Sequence, residues 1–191
     1  MTYDPRPSSL PRPLIVFCAV ALAWVAAAIE LASPGLLWAL EYDAMLDAIL
    51  TDNAVNLGVP DAATFTPSSL LAGTLIALDC LVALAYAAPL FFSGLWFRNL
   101  HPTKAWTDTN IRWLGRIGLL CLCMPLIKSL AGMVQSLALS SELPPGLVGV
   151  SLGLDFSSAA LSQIAMGLLL LAFAAMMRHA KSLHDENRCY V

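Results

Sequence analysis

Residues 157–177 read SSAALSQIAMGLLLLAFAAMM, 21 residues without a charge or a proline. At 1.5 Å per residue, a helix of about 20 apolar residues covers the roughly 30 Å hydrocarbon layer of a bilayer. Working outward from this stretch, three more segments share its character: Leu14 to about Ala32, about Ser69 to Trp96, and about Asp108 to Leu139. Composition agrees. The chain is 59% apolar and 12% charged, with a mean hydropathy of +0.75, whereas a soluble domain carries about twice that share of charge. The expected fold is an all-α membrane protein, one domain over residues 1–191, with four transmembrane helices in an antiparallel bundle. A signal peptide competes for the first segment, because Arg6 and Arg12 precede it and small residues close it. That run is long for a signal core, and Ala32-Ser33 is followed by Pro34, so four spans is the reading adopted.

Lysine and arginine set the expected orientation. Arg6 and Arg12 precede span one, Arg98, Lys104, Arg112 and Arg116 surround the connection between spans two and three, and Arg178, Lys181 and Arg188 follow span four. The other two connections, Ser33 to Ser68 and Ser140 to Phe156, hold neither residue type but carry Glu41, Asp43, Asp47, Asp52, Asp61, Glu142 and Asp155. Both termini are therefore expected in the cytoplasm, with the acidic loops outside. A net charge of −3 offers no concentrated basic surface for direct nucleic-acid binding.

Two outer features are expected. From Leu36 to Leu50, Trp38, Tyr42, Met45 and Ile49 recur at helical spacing with Leu46 beside them, while Asp43 and Asp47 lie opposite, which predicts a short amphipathic helix. From Val148 to Phe156 apolar residues alternate with Gly149, Ser151, Gly153 and Asp155, the period-two pattern of a strand that could pair near Ala63 to Thr66.

On the inner side, Thr107 stands where a hydroxyl can cap the next helix, and Asp108 complements its dipole. Trp96, Trp106 and Trp113 sit where indoles anchor at the interface, and Arg98, Lys104, Arg112 and Arg116 suit anionic lipid. The segment Trp106-Thr-Asp-Thr-Asn110, followed by Ile111-Arg-Trp-Leu-Gly-Arg-Ile-Gly118, and an apolar helix running into Arg178, Leu183 and Asp185-Glu-Asn-Arg-Cys-Tyr-Val191 carry a resemblance. From about Leu95 onward the chain resembles the bacterial membrane family catalogued as domain of unknown function 2975. In that family the helix start has Thr or Ser, an acidic position and then Asn, which here are Thr107, Asp108 and Asn110. Arg188-Cys189-Tyr190 departs from the usual tail. The resemblance implies a four-helix inner-membrane protein with no established activity, whose relatives are found alongside a small helix-turn-helix regulator.

Asp79 and Lys128 lie inside spans, where a charge costs at least about 2.5–3.5 kcal/mol and calls for a partner. Asp79 is eleven positions after Ser68 and Lys128 eleven before Leu139, so both are expected about 16 Å below the outer ends, as an ion pair between antiparallel neighbours. Ala72, Asp79, Ala83 and Tyr86 share one face, and Cys121, Lys128, Gly132 and Gln135 share another. The pair is read as fixing helix register. In the competing reading it is a proton or ion relay, extended by Glu30, Tyr86, Gln135 and Gln163.

Enzyme, metal and cofactor signatures are not expected. Cys121 and Cys123 are too close for the usual zinc spacing, and His101, His179 and His184 complete no ligand set. Three function classes follow: a regulatory or accessory interaction protein, which is favoured; a small transporter or ion conductor using Asp79 and Lys128; and an immunity factor against a membrane-acting toxin. The partner classes are the bilayer, a membrane or cytoplasmic protein, and a second copy of the chain.

Overall fold

The structure, a computed structural model, describes residues 12–57, 66–100, 107–142 and 157–188. Lys104, Trp106, residues 63–65 and the alternating stretch from Val148 to Phe156 lie outside these, so the expected strand pair has no counterpart to compare. The described residues form helices α1 (Arg12–Leu40), α2 (Tyr42–Leu57), α3 (Ser69–Asn99), α4 (Asp108–Glu142) and α5 (Ser158–Arg188). Four of them, all but α2, are long and apolar enough to cross a membrane.

The first helix outruns its expected end at Ala32 and continues through Pro34 to Leu40. Proline cannot donate to the carbonyl four residues back, which here belongs to Glu30, and the Ser33 hydroxyl donates to that carbonyl at 3.1 Å instead. Glu41 alone separates α1 from α2, and the backbone bonds Glu41 N to Leu37 O (2.7 Å) and Met45 N to Glu41 O (2.9 Å) continue across it. Trp38, expected on the amphipathic helix, therefore belongs to α1. On α2 the alternation is as expected: Leu46 and Leu50 are buried while Asp43 and Asp47 are exposed. The fourth span's helix also runs on, through its basic tail to Arg188, where no glycine or proline stops it and Lys181 faces Asp185 one turn later at 3.9 Å.

The spans pack as a row, α1 against α3, α3 against α4 and α4 against α5, each pair antiparallel, while α1 and α5 do not meet. The row bends. On α4 the positions that meet α5 (Gly115, Gly118) and those that bond α3 (Asn110, Gln135) are about 120° apart around the axis at 100° per residue. The fold is thus an open, curved layer with a concave and a convex side.

Small residues bring the backbones together, as helices in lipid require. A Cβ on Gly118 would lie 2.9 Å from Gly167 O, and one on Gly167 would lie 2.8 Å from Gly118 O, so α4 and α5 touch backbone to backbone. On the other flank the Trp24 ring lies on Gly94, where any side chain would collide with it. At one end Trp38, Leu46, Leu50, Leu71, Leu75 and Leu139 form the buried cluster, with α2 as its lid. This end carries Glu41, Asp43, Asp47 and Glu142, and is called the acidic end. The opposite end carries Arg98, Arg112, Arg116, Arg178 and Lys181, and is called the basic end.

Candidate functional site

The polar groups inside the layer begin with Asp79, about three turns into α3. Ser68 starts that helix: its hydroxyl accepts from Leu71 N at 3.2 Å, and it also donates to the Glu142 carboxylate, to which Ser68 N donates at 2.9 Å. One residue thus caps α3 and ties it to the last turn of α4. Below this clasp the two oxygens of Asp79 accept from Trp38 Nε1 and from Gln135 Nε2, each at 2.8 Å. A carboxylate that would be costly in hydrocarbon is bound by two neutral donors from neighbouring helices.

Helix side chains lean toward the N-terminus of their own helix, which on α3 is toward the acidic end and on α4 toward the basic end, so Gln135, on the acidic-end side of Asp79, leans toward it. Lys128 lies on the same face of α4, two turns nearer the basic end, and is exposed. The sequence places Trp38 on the amphipathic helix and not on α1, so it does not point to this bond. A Trp N–H needs an acceptor when buried, and Trp38 is only 4% exposed.

Tyr86 lies two turns beyond Asp79 on the same face of α3, and its hydroxyl accepts from Gln163 Nε2 of α5 at 3.3 Å. The backbones of α3 and α5 do not approach each other, so this bond reaches across α4 on the concave side. By helical phase Asp79, Lys128 and Gln135 look to that side as well. Glu30 stands at the concave edge of the α1–α3 contact, half exposed. At the opposite edge an apolar groove is lined by Trp24, Ala28, Leu31, Leu84, Ala88 and Phe91. The sequence-predicted polar residues therefore share one face. Asp79 bonds Gln135, Tyr86 bonds Gln163, and no described side chain bonds the Glu30 carboxylate.

The convex side is apolar. Leu70, Leu81, Leu84 and Phe91 of α3 are exposed there, as suits lipid contact.

The basic end has its own order. Thr107 immediately precedes α4, and its carbonyl accepts the first bond of the helix, from Ile111 N at 3.1 Å. Asn110, 1% exposed, donates to Asn99 O at 3.2 Å, satisfying a carbonyl that the end of α3 would leave open. Asp108 meets Lys181 of α5 at 2.5 Å. Arg112 Nε donates to Asp108 O at 3.3 Å, Arg116 lies over the Trp113 ring at 5.0 Å, and Arg98 is exposed in the last turn of α3.

A family model described as "Protein of unknown function (DUF2975)" matches residues 13–189. The chain belongs to this family. The DUF2975 match takes in all four spans, so the likeness carried by the second half of the sequence extends over the first half too. No curated protein and no solved structure matches the chain.

Proposed function

We propose that this DUF2975 protein is a regulatory or accessory subunit of the bacterial inner membrane that works by protein contact and not by catalysis. The observation that carries the reading is that its intramembrane polar groups share the concave side of an open layer. Hydrocarbon against the Glu30 carboxylate would leave a polar group in a medium that cannot bond it, so a protein surface is the cover that suits this side. The absence of Lys and Arg from both acidic connections supports cytoplasmic termini; reporters fused after Asp61 and after Gly146 would then be active only outside the cytoplasm.

The contact reading is tested with a photo-crosslinking residue placed in native membranes. Gly132 lies on the concave side, and a Cβ there would meet nothing within 4 Å; Leu81, 54% exposed, lies on the convex side. Crosslinking from position 132 to a protein, with only lipid captured from position 81, is the expected outcome. Equal capture of lipid at both positions would sink the reading. Labelling of position 132 by water-soluble thiol reagents would instead favour ion or proton conduction.

A further inference from the structure

We propose that the convex side at the basic end binds the phosphate headgroup of an anionic phospholipid, between Arg112 and Arg116 of α4 and Arg178 of α5. The site is separate from the concave side and does not depend on what covers it.

Helical phase is the first observation. At 100° per residue, Arg112 and Arg116 each stand about 160° around α4 from Gly132, which lies on the concave side. Both arginines are exposed, so at the basic end the convex side stops being apolar. Register is the second. Asp108 meets Lys181, and a Cβ on Gly115 would lie 3.9 Å from the Ala174 Cβ. The stretch of α4 between these contacts, which carries Arg112, therefore runs beside Met177 and Arg178. Arg178 is exposed, and both it and Arg112 lie within electrostatic reach of Asp108. Arg116 is one turn deeper, but it leans toward the basic end while Arg178, on an antiparallel helix, leans away from that end. The two guanidinium groups are thereby brought toward one level.

Charge is the third. Lys181 answers both carboxylates that form ion pairs at this end among the described residues, Asp108 at 2.5 Å and Asp185 at 3.9 Å. Arg112 gives one N–H to Asp108 O, and Arg116 lies over the Trp113 ring. These contacts hold the two guanidinium groups in place and leave further N–H donors of each planar fork for phosphate oxygens.

Depth selects a lipid over a soluble anion. Arg116 is the last charge on α4 before Lys128, and Arg178 is the first charge on α5, so both stand where the apolar span gives way to headgroups. Just deeper, Leu119 and Leu168, each 54% exposed, directly follow the touching glycines Gly118 and Gly167 and offer an apolar wall to acyl chains. A headgroup ending in an ammonium would set a further cation among three arginines, so the fit is to a lipid of net negative charge.

The test incubates the purified full chain in neutral detergent with equal amounts of phosphatidylglycerol and phosphatidylcholine of the same acyl chains, and counts the retained lipid by native mass spectrometry. The wild-type chain is expected to retain phosphatidylglycerol about tenfold or more over phosphatidylcholine. Arg112→Gln combined with Arg116→Gln should remove that preference. Arg178→Gln, on the other helix, should lower it as well, and keeps the test open if the α4 variant does not insert. Arg98→Gln is the control for net charge, because Arg98 lies one turn beyond Gly94, on the flank of α3 that meets Trp24 of α1; it should leave the preference intact. An undiminished preference in the α4 and α5 variants, or a loss from Arg98→Gln as large as that from Arg178→Gln, would overturn the site. Displacement of the lipid by millimolar inorganic phosphate would overturn it in favour of a soluble anion.

Discussion

The α4–α5 contact and the α1–α3–α4 contact around Asp79 hold the layer by opposite means. In the first, Gly118 and Gly167 bring two backbones together with no side chain between them. In the second, a carboxylate fills the gap and is held from both flanks by Trp38 and Gln135. Shape decides the first contact, and hydrogen-bond satisfaction decides the second. The same lipid solvent permits both, because it rewards neither apolar burial between helices nor an unbonded polar atom.

Breaking the glycine contact should have the largest effect. Gly118→Val places methyl groups where Gly167 O and Leu171 N already crowd a Cβ at 2.9 and 3.0 Å. Two backbones must then separate, at a cost of about 3 kcal/mol, read as a lower unfolding midpoint in detergent. An unchanged midpoint would mean that α4 and α5 are not in backbone contact.

The Asp79 contact should respond less, and in a way that depends on which partner is lost. Gln135→Leu strands one carboxylate oxygen and should cost about 2 kcal/mol, whereas Asp79→Leu combined with Gln135→Leu and Trp38→Phe should recover most of that loss, because neither an unpaired oxygen nor an unpaired donor of these three remains. If the triple change is as damaging as the sum of the singles, Asp79 does more than join helices. Trp38→Phe removes one donor while keeping most of the ring, so a loss of about 1.5 kcal/mol is expected. Asp79→Leu should correspondingly shift the Trp38 fluorescence, measured with the other tryptophans replaced by Phe.

The smallest effect belongs to the basic end. Lys181 and Asp108 pair at 2.5 Å, but Asp108 is 65% exposed, so water and salt screen the attraction. Lys181→Ala should leave the unfolding midpoint unchanged, and a clear drop would mean that this clasp secures the end of α5.

Much of this architecture was legible in the sequence, since span length and charge absence are properties of a segment by itself. The four apolar helices and the amphipathic pattern of Leu46 and Leu50 against Asp43 and Asp47 both follow from spacing. Pairings between segments were harder. Nothing in the spacing of α3 or α4 says that Gln135 donates to Asp79; that follows from side-chain lean toward each helix N-terminus. Trp38 is unreadable as the second donor to Asp79 from a first span ending at Ala32; α1 runs on to Leu40, with the Ser33 hydroxyl bonding the carbonyl that Pro34 leaves open. The open row was invisible to sequence, because nothing in an apolar run says which neighbour its lipid-like face will choose.

The most direct measurement asks what the concave side touches. A fluorophore at position 132 and another at position 81, each in a variant without other reactive cysteines, can be challenged in vesicles with brominated lipids and with aqueous iodide. Quenching by brominated lipid at 81, and by neither agent at 132, is the result expected of a polar side sealed by protein. Strong lipid quenching at 132 would show that side facing hydrocarbon, and would contradict the assignment of this layer as one half of an interface.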